Sequence, residues 1–430
     1  MRRRTGAAES GKQEAEHLMM VRIDGERLWS DLMTMAAIGA TANGGSYRTA
    51  LSDADRDGRN LFVHWAKEAG LAVSVDKIGN IFARREGQDP KLPPVMLGSH
   101  LDTQAPGGRF DGVLGVLAGL EAVRTLDRAA IRTRRAIEVV NWTNEEGARF
   151  PPGVVGSNLF AGRTTLETLL QTRDRAGILM GDELKRIGYA GEVEVGQRLV
   201  DSYIEVHIEQ GPVLEASNVT IGAVTHTSCQ GGGIIEILGE NGHSQTTRMS
   251  KRRNALVGAA RIVEAIEQIG MAQEPHGMAS ATVIDILPNN RINIPHKAVL
   301  QFLAVHAEPE GRDRILDMIE QAVTKVGKEA QLAVSFSRNP QRHKFDFPIE
   351  LVELAERISG DLGYSSMRLP TWTAHDALNM HVVCPTSLIF VPCRDGISHS
   401  EFEWCEPEHA KAGADVLANM ALARAQRPSD

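Results

Sequence analysis

Residues 98–112, GSHLDTQAPGGRFDG, place His100, Asp102 and Asp111 in a glycine-rich break directly after the apolar run Val95-Met96-Leu97. A turn needs glycine, but it needs neither an imidazole nor two carboxylates. Three further apolar runs end in the same way. Residues 136–142 are followed by Glu145 and Glu146, residues 203–208 contain His207, and residues 388–391 are followed by His399. Imidazoles and carboxylates drawn from different strands suit a pair of divalent ions such as zinc, manganese or cobalt, provided that one carboxylate bridges them. A remaining carboxylate is then free to act as a base. Neighbouring residues at a strand end face opposite ways, so one of Glu145 and Glu146 can reach a metal while the other holds the attacking water. Asp102, two residues past His100, suits the task of orienting a ligating imidazole.

Taken singly, each group has a plainer explanation. His-x-Asp in a loop is commonly a capped turn, a Glu-Glu pair a solvated helix start, and His207 a satisfied core histidine. Asp111 stands where it would cap a helix over residues 112–126. Four strand ends that all present such groups are not explained this way.

The elements that must position these residues follow from periodicity. Helical patterns over residues 27–37 and 55–69 alternate with strand-like runs at 71–75 and 80–83 and with the four runs above, the pattern of an α/β fold built on a mostly parallel sheet with helices on both faces. Such sheets bind ligands just beyond the carboxyl ends of their strands. Residues 219–337 read differently: strand 233–238, helix 255–269, strands 280–286 and 298–305, helix 313–328, strand 331–336. That βαββαβ order describes a smaller α+β domain. It divides the chain into a disordered lead-in (1–20), a catalytic domain in two pieces (21–218 and 338–430) and an insert (219–337).

The composition sets limits on partners. With 47 Lys+Arg against 55 Asp+Glu the net charge is −8, which leaves no electrostatic footprint for nucleic acid. No run approaches the roughly 18 apolar residues of a membrane span. The opening MRRRTGAAESGKQEAEH has arginines but no apolar segment behind them, so it fails as a secretory signal, and a cytoplasmic protein is expected. The four cysteines, Cys229, Cys384, Cys393 and Cys405, are too far apart for a CxxC pair and read as core thiols.

In order along the chain, GSHLDT, GGRFDGVLG, TNEEGARF, HIEQGPVLE and DGISHSEFEW resemble the motifs of the hydantoinase/carbamoylase branch of the aminoacylase and carboxypeptidase-type metallohydrolases. The resemblance spans about residues 27–404. It implies one or two divalent ions per subunit, with His100 and His207 on one, Glu146 and His399 on the other, and Asp111 between them. It makes Glu145 the base that takes a proton from the attacking water and passes it to the leaving nitrogen, and Asp102 the brace of His100. Gln210 would contact the substrate. The insert would form a homodimer or a higher homo-oligomer and lend a histidine to the partner's active site; here GHSQTTRM stands where HAGTTPM is usual, which singles out His243. The small-molecule substrates implied are N-carbamoyl amino acids, ureidopropionate or allantoate, with ammonia leaving.

Two stretches depart from that pattern. Where the family shows PNxxNVIPG and then a strand ending in DxR, this chain reads PNNRINIPHKAVLQFLAVHAE, with Ile292 at the asparagine and Val305 or His306 at the arginine that hold a substrate carboxylate. Asn290, Arg291 and Arg248 are the candidates to replace them. LPTWTAHDALNM replaces SGAGHDA, so Trp372 and Thr373 intrude before His375, and the indole offers a planar ring a face to stack on. An intact metal centre beside a rebuilt clamp suggests a changed substrate. Alternatives are hydrolytic deamination of an aromatic amine such as a nitroanthranilate, and an aminoacylase or peptidase, which would share the metal site.

Overall fold

The strands that carry the suspected residues are buried at every position, so their sequences run continuously apolar instead of alternating. The computed structural model describes residues 20–196 and 198–428. All of the expected lead-in except Met20 lies outside the described residues. In chain order the first strands are Ala72–Val75 (β1), Ile81–Arg85 (β2), Val95–His100 (β3), Ile137–Trp142 (β4), Ser202–Ile208 (β5) and Ile221–Thr227 (β6). The insert adds Cys229–Leu238 (β7), Gly242–His243 (β8), Gly277–Leu287 (β9), Asn293–Ile294 (β10), Lys297–His306 (β11) and Ala333–Arg338 (β12), and the chain ends with Ser366–Thr371 (β13) and Thr386–Val391 (β14).

The large sheet has the order β1-β2-β4-β3-β5-β14-β6-β13. Its four central strands, β4, β3, β5 and β14, are mutually parallel, so their carboxyl ends lie along one edge. These are the four strands that end in His100, Glu145 and Glu146, His207 and His399. Helices Gly25–Ala36, Val113–Arg128 and Pro407–Gln426 pack together on this sheet, and short helices Val155–Phe160 and Ala377–Met380 pack on β4, β5 and β14. A core that includes Trp142, Phe62 and Phe110 fills the space between the layers.

The insert builds a second, antiparallel sheet, β12-β7-β11-β9. Helices Ala255–Met271 and Pro309–Ala330 pack on it around a separate core of Ile235, Ile237, Ile262, Phe302 and Ile319. Along β11, Ala298, Leu300, Phe302 and Ala304 are buried while Gln301 and Leu303 are exposed, the alternation of a sheet with one open face. The βαββαβ order expected from sequence is present. Two features were not expected: β7 begins at Cys229, because its Gln-Gly-Gly-Gly start carries no apolar signal, and the two-residue strands β8 and β10 form a ribbon too short to have a period. The connections into and out of the insert pair with each other, His226 opposite Asp346 and Gln230 opposite Arg342, both antiparallel. Among the described residues no helix is long and apolar enough to cross a membrane.

Candidate active site

His100 is the last residue of β3, and its Nε2 lies 3.4 Å from Asp111 Oδ1 and 3.4 Å from Glu145 Oε2. It can come this close to the start of the next helix because residue 112 is glycine; a Cβ there would collide with the imidazole, and its φ of 67° suits glycine. His207, on β5, places Nε2 3.0 Å from the same Oδ1. His399 faces the other oxygen, with Nε2 3.4 Å from Asp111 Oδ2 and 3.3 Å from Glu146 Oε2. One carboxylate therefore receives three imidazoles. The donor atoms form two groups, His100/Asp111/His207 and Asp111/Glu146/His399, each within 4.8 Å internally and joined through Asp111.

The other ring nitrogens fix how these imidazoles point. His100 Nδ1 is 2.9 Å from the main-chain oxygen of Asp102, and His207 Nδ1 is 2.8 Å from that of Ile208. A carbonyl only accepts, so Nδ1 carries a hydrogen and Nε2 is the nitrogen turned toward Asp111. The Gly112 N–H donates to His207 Nε2 at 3.1 Å, in keeping with that tautomer. Lone pairs and carboxylates converging in a buried site are the donor set of a divalent cation pair, and the residues present fit one.

Burial raises Glu145 well above the usual carboxylate range, and it raises Glu146 to about 7 with Asp111 adding to the shift. Burial acts on Asp111 in the same direction, but His207, His100 and His399 outweigh it and hold Asp111 well below its ordinary value.

Two expectations about carboxylates change. Asp102 braces His100 through its main-chain oxygen; its carboxylate is 3.9 Å from His100 Nδ1 and instead accepts the N–H groups of Glu145 and Glu146, both at 3.2 Å. Asp102 thus holds the turn that carries both glutamates. Nor do Glu145 and Glu146 separate by strand alternation, because β4 ends at Trp142 and Asn144 reverses the backbone at φ 54°. Both side chains enter the site, Glu145 beside His100 and Glu146 beside His399. The capping explanation of Asp111 does not hold: helix Val113–Arg128 has no side-chain cap.

Gln210 joins the cluster, donating from Nε2 to Asp111 Oδ2 at 2.7 Å and to Ser398 Oγ at 3.2 Å. Asn144, Gln210 and His399 have φ of 54°, 57° and 52°, a left-handed conformation uncommon for side-chain-bearing residues.

Above the cluster lies a cavity of about 800 Å³. Trp372 and Thr373 line one side, while Met278, Leu303 and Val305 of the insert line another, so Val305 does face the site where an arginine was expected. His375 does not line it. This ring is buried behind His207, edge-on at 4.7 Å, with Nε2 bonded to the hydroxyls of Thr373 and Thr371 at 2.8 and 3.1 Å, and burial holds it well below the usual histidine range. It supports His207 from behind.

His243, Arg248, Asn290 and Arg291 are also absent from this cavity wall. They are exposed on and around the β8–β10 ribbon, where His243 pairs with Asn293 and its Nδ1 accepts the Gln245 N–H at 3.2 Å. Asn290 Oδ1 accepts the N–H groups of Ile292 and Asn293, closing a local turn. The structure brings these four together, apart from the metal-type cluster of their own chain.

Three supporting residues escaped the sequence reading. Glu403 is buried and accepts the N–H groups of Phe110 and Asp111 at 2.8 and 3.1 Å; a Cβ at residue 108 would collide with its carboxylate, which accounts for the glycine of GGRFDG. Ser398 donates to Asp111 Oδ2 at 2.9 Å. Gln104 donates to Glu146 Oε2 at 2.7 Å. Ser398 and Glu403 flank His399 in a quoted motif, but nothing local marks the target of Glu403, 292 positions away.

Comparison with known proteins agrees with this geometry. Residues 96–423 match the model of peptidase family M20/M25/M40. An N-carbamoyl-L-amino-acid amidohydrolase of Rhizobium meliloti is 44% identical over 94% of this chain and 97% of its own length, and an N-carbamoyl-L-amino acid amidohydrolase of Geobacillus stearothermophilus is 34% identical over 94% and 99%. The crystal structure of an amidase of the hydantoinase/carbamoylase family from Burkholderia vietnamiensis superposes with a TM-score of 0.91 at 41% identity, covering 95% of this chain and 99% of that one. The chain belongs to peptidase family M20/M25/M40, in its hydantoinase/carbamoylase amidase branch, and is a hydrolase of carbon–nitrogen bonds other than peptide bonds.

Proposed function

We propose that the chain hydrolyses an N-carbamoyl amino acid or a closely related ureido compound, releasing ammonia, at a pair of divalent cations. The observation that carries this reading is the double cluster: two sets of donors sharing Asp111, with Glu145 beside them and not needed by either set. His100 and His207 would hold one cation, Glu146 and His399 the other, with Asp111 between. When bound, such cations supply Lewis acidity, polarising the attacked carbonyl and making water a stronger acid.

The protein's own residues do the rest. Glu145, which burial raises well above the ordinary carboxylate range, takes a proton from the attacking water and delivers it to the leaving nitrogen. The Asp102 carboxylate keeps Glu145 in place through its main-chain N–H. Gln210 orients the carboxylate shared by the two sets and stands at the cavity wall. Trp372 gives the cavity an aromatic face, so substrates with aromatic side chains are favoured.

His243, exposed and off its own cavity wall, is assigned to the partner subunit's site in a homodimer formed through the insert (residues 219–337). The cytoplasm, a reducing compartment, suits four buried, unbridged cysteines. The names of the relatives favour carbamoyl hydrolysis over deamination of aromatic amines and over peptide hydrolysis.

The test is ammonia release by metal-reconstituted protein against N-carbamoyl-L-amino acids, ureidopropionate, allantoate, aminobenzoates and dipeptides. Turnover of the carbamoyl compounds supports the reading. Turnover confined to the aminobenzoates or to the dipeptides overturns it.

A further inference from the structure

Among the described residues that line the cavity there is neither a lysine nor an arginine. The lid side offers Met278, Leu303 and Val305, and the candidates Arg248 and Arg291 lie elsewhere. A substrate of the proposed class carries a carboxylate, which needs a cationic partner to leave water. One layer behind the wall there is a guanidinium with little to do.

Arg342 lies on the segment that returns from the insert, directly opposite Gln230 in the antiparallel pair that joins the two parts of the molecule, with main-chain bonds of 3.1 and 2.9 Å in the two directions. Directly opposed residues of an antiparallel pair project their side chains from the same face, and Gln230 lines the cavity. Ser228, two residues before Gln230, shares that face. Arg342 Nη2 reaches its Oγ at 3.4 Å, and that hydroxyl donates to the main-chain oxygen of Trp372 at 3.2 Å.

Arg59 pairs with Asp55 at 2.9 Å and Arg312 with Asp313 at 2.8 Å; Arg48, which also has no ion pair among the described residues and a buried Nη2 without a partner, is held by the main-chain oxygens of Leu101, Met35 and Ile38. Arg342 has no ion pair among the described residues, its Nε is buried without a hydrogen-bond partner, and burial pushes it down to about 10. A mostly buried cation left unpaired is costly unless an anion completes it.

We propose that Arg342 is the specificity residue of this site, holding the carboxylate of the substrate from the floor of the joint between the two sheets, beside Ser228 and Trp372. The proposal rests on the carbamoyl-hydrolase reading for the identity of the substrate, but not for the existence of an anion pocket.

The experiment has a binding arm and a turnover arm, both on the metal-loaded full chain. In calorimetric titrations 3-phenylpropionate is expected to bind wild type more tightly than 3-phenylpropanamide, and Arg342→Met to lose about 10- to 100-fold on the acid alone. In assays with N-carbamoyl-L-phenylalanine and N-carbamoyl-2-phenylethylamine, the same variant is expected to raise KM for the acid by a similar factor, with kcat within about threefold and the neutral compound unaffected. Arg342→Lys should restore part of the acid's advantage. Equal losses on acid and neutral compound, or no loss on either, overturn the proposal. If Arg342→Met does not fold, Arg342→Gln and Arg342→Lys carry the same comparison. Failure of wild type to hydrolyse either carbamoyl compound, with acid binding still dependent on Arg342, would remove the carbamoyl reading and leave the anion pocket standing.

Discussion

The side-chain amide of Gln210 is fixed at both ends: its oxygen accepts the Thr373 hydroxyl at 2.8 Å while its nitrogen donates to Asp111 Oδ2 at 2.7 Å. Thr373 therefore decides which end of the amide meets the carboxylate shared by both donor groups. Gln210→Glu puts an acceptor where a donor was and sets two carboxylates face to face. Turnover is expected to fall by about 100-fold or more, a cost consistent with a charged group left unmatched, whereas Thr373→Val should cost less. Steady-state kinetics on both variants decide the order, and the reverse ranking would refute this account.

Chelation is expected to abolish hydrolysis and to lower Tm, and added zinc, manganese or cobalt to restore both. Asp111→Asn should lose ions from both positions, because both groups share that residue. His399→Ala should lose only one. Ion counts per chain by elemental analysis test this, and equal counts in the two variants would contradict a shared carboxylate.

Glu145→Gln keeps the size of the side chain and removes its basicity. It is expected to lower kcat by about 10²- to 10⁴-fold with metal content unchanged. Activity near that of wild type would transfer the role of base to another group.

Glu403 touches no donor nitrogen of the cluster, yet it accepts the main-chain N–H groups of Phe110 and Asp111. Glu403→Ala is expected to weaken metal binding by about 10- to 100-fold, the usual cost of losing a group that orients a ligand. Competition with a fluorescent chelator measures it, and an unchanged affinity would reduce Glu403 to packing.

The assignment of His243 to the partner's site makes a prediction that no single-chain role can imitate. His243→Ala and Glu145→Gln should each be nearly inactive alone. Mixed under conditions of subunit exchange, they should regain activity, because one site of the heterodimer then combines an intact Glu145 with the partner's intact histidine. A mixture that stays at the parental level would count against it.

Much of this site was legible in the sequence because parallel strands carry continuous apolar runs and place their carboxyl ends on one edge. The groups at the ends of β3, β4, β5 and β14 could be collected without knowing the order of the sheet. What could not be read were contacts between residues far apart in the chain: Glu403 to Asp111, Gln104 to Glu146, and Arg342 opposite Gln230. Asp102 was placed correctly in sequence, but its two functional atoms were exchanged, since spacing says where a residue is and not whether its carbonyl or its carboxylate is used. His375 misled because a histidine beside an intruding tryptophan looks like a pocket residue until its burial is seen. The β8–β10 ribbon hid because strands of two residues have no period.

The three left-handed residues, Asn144, Gln210 and His399, bear on the evolution of the chain as much as on its chemistry. Glycine would relax each backbone conformation by about 1 kcal/mol, a gain set against the hydrogen bonds that Asn144 and Gln210 make through their side chains. A selection for heat resistance alone would drift toward glycine at these sites, and at Gln210 and His399 it would arrive at a sturdier protein with a disabled centre. Thermostabilised descendants that stay active should therefore carry their improvements elsewhere, and these three positions should be the last to change.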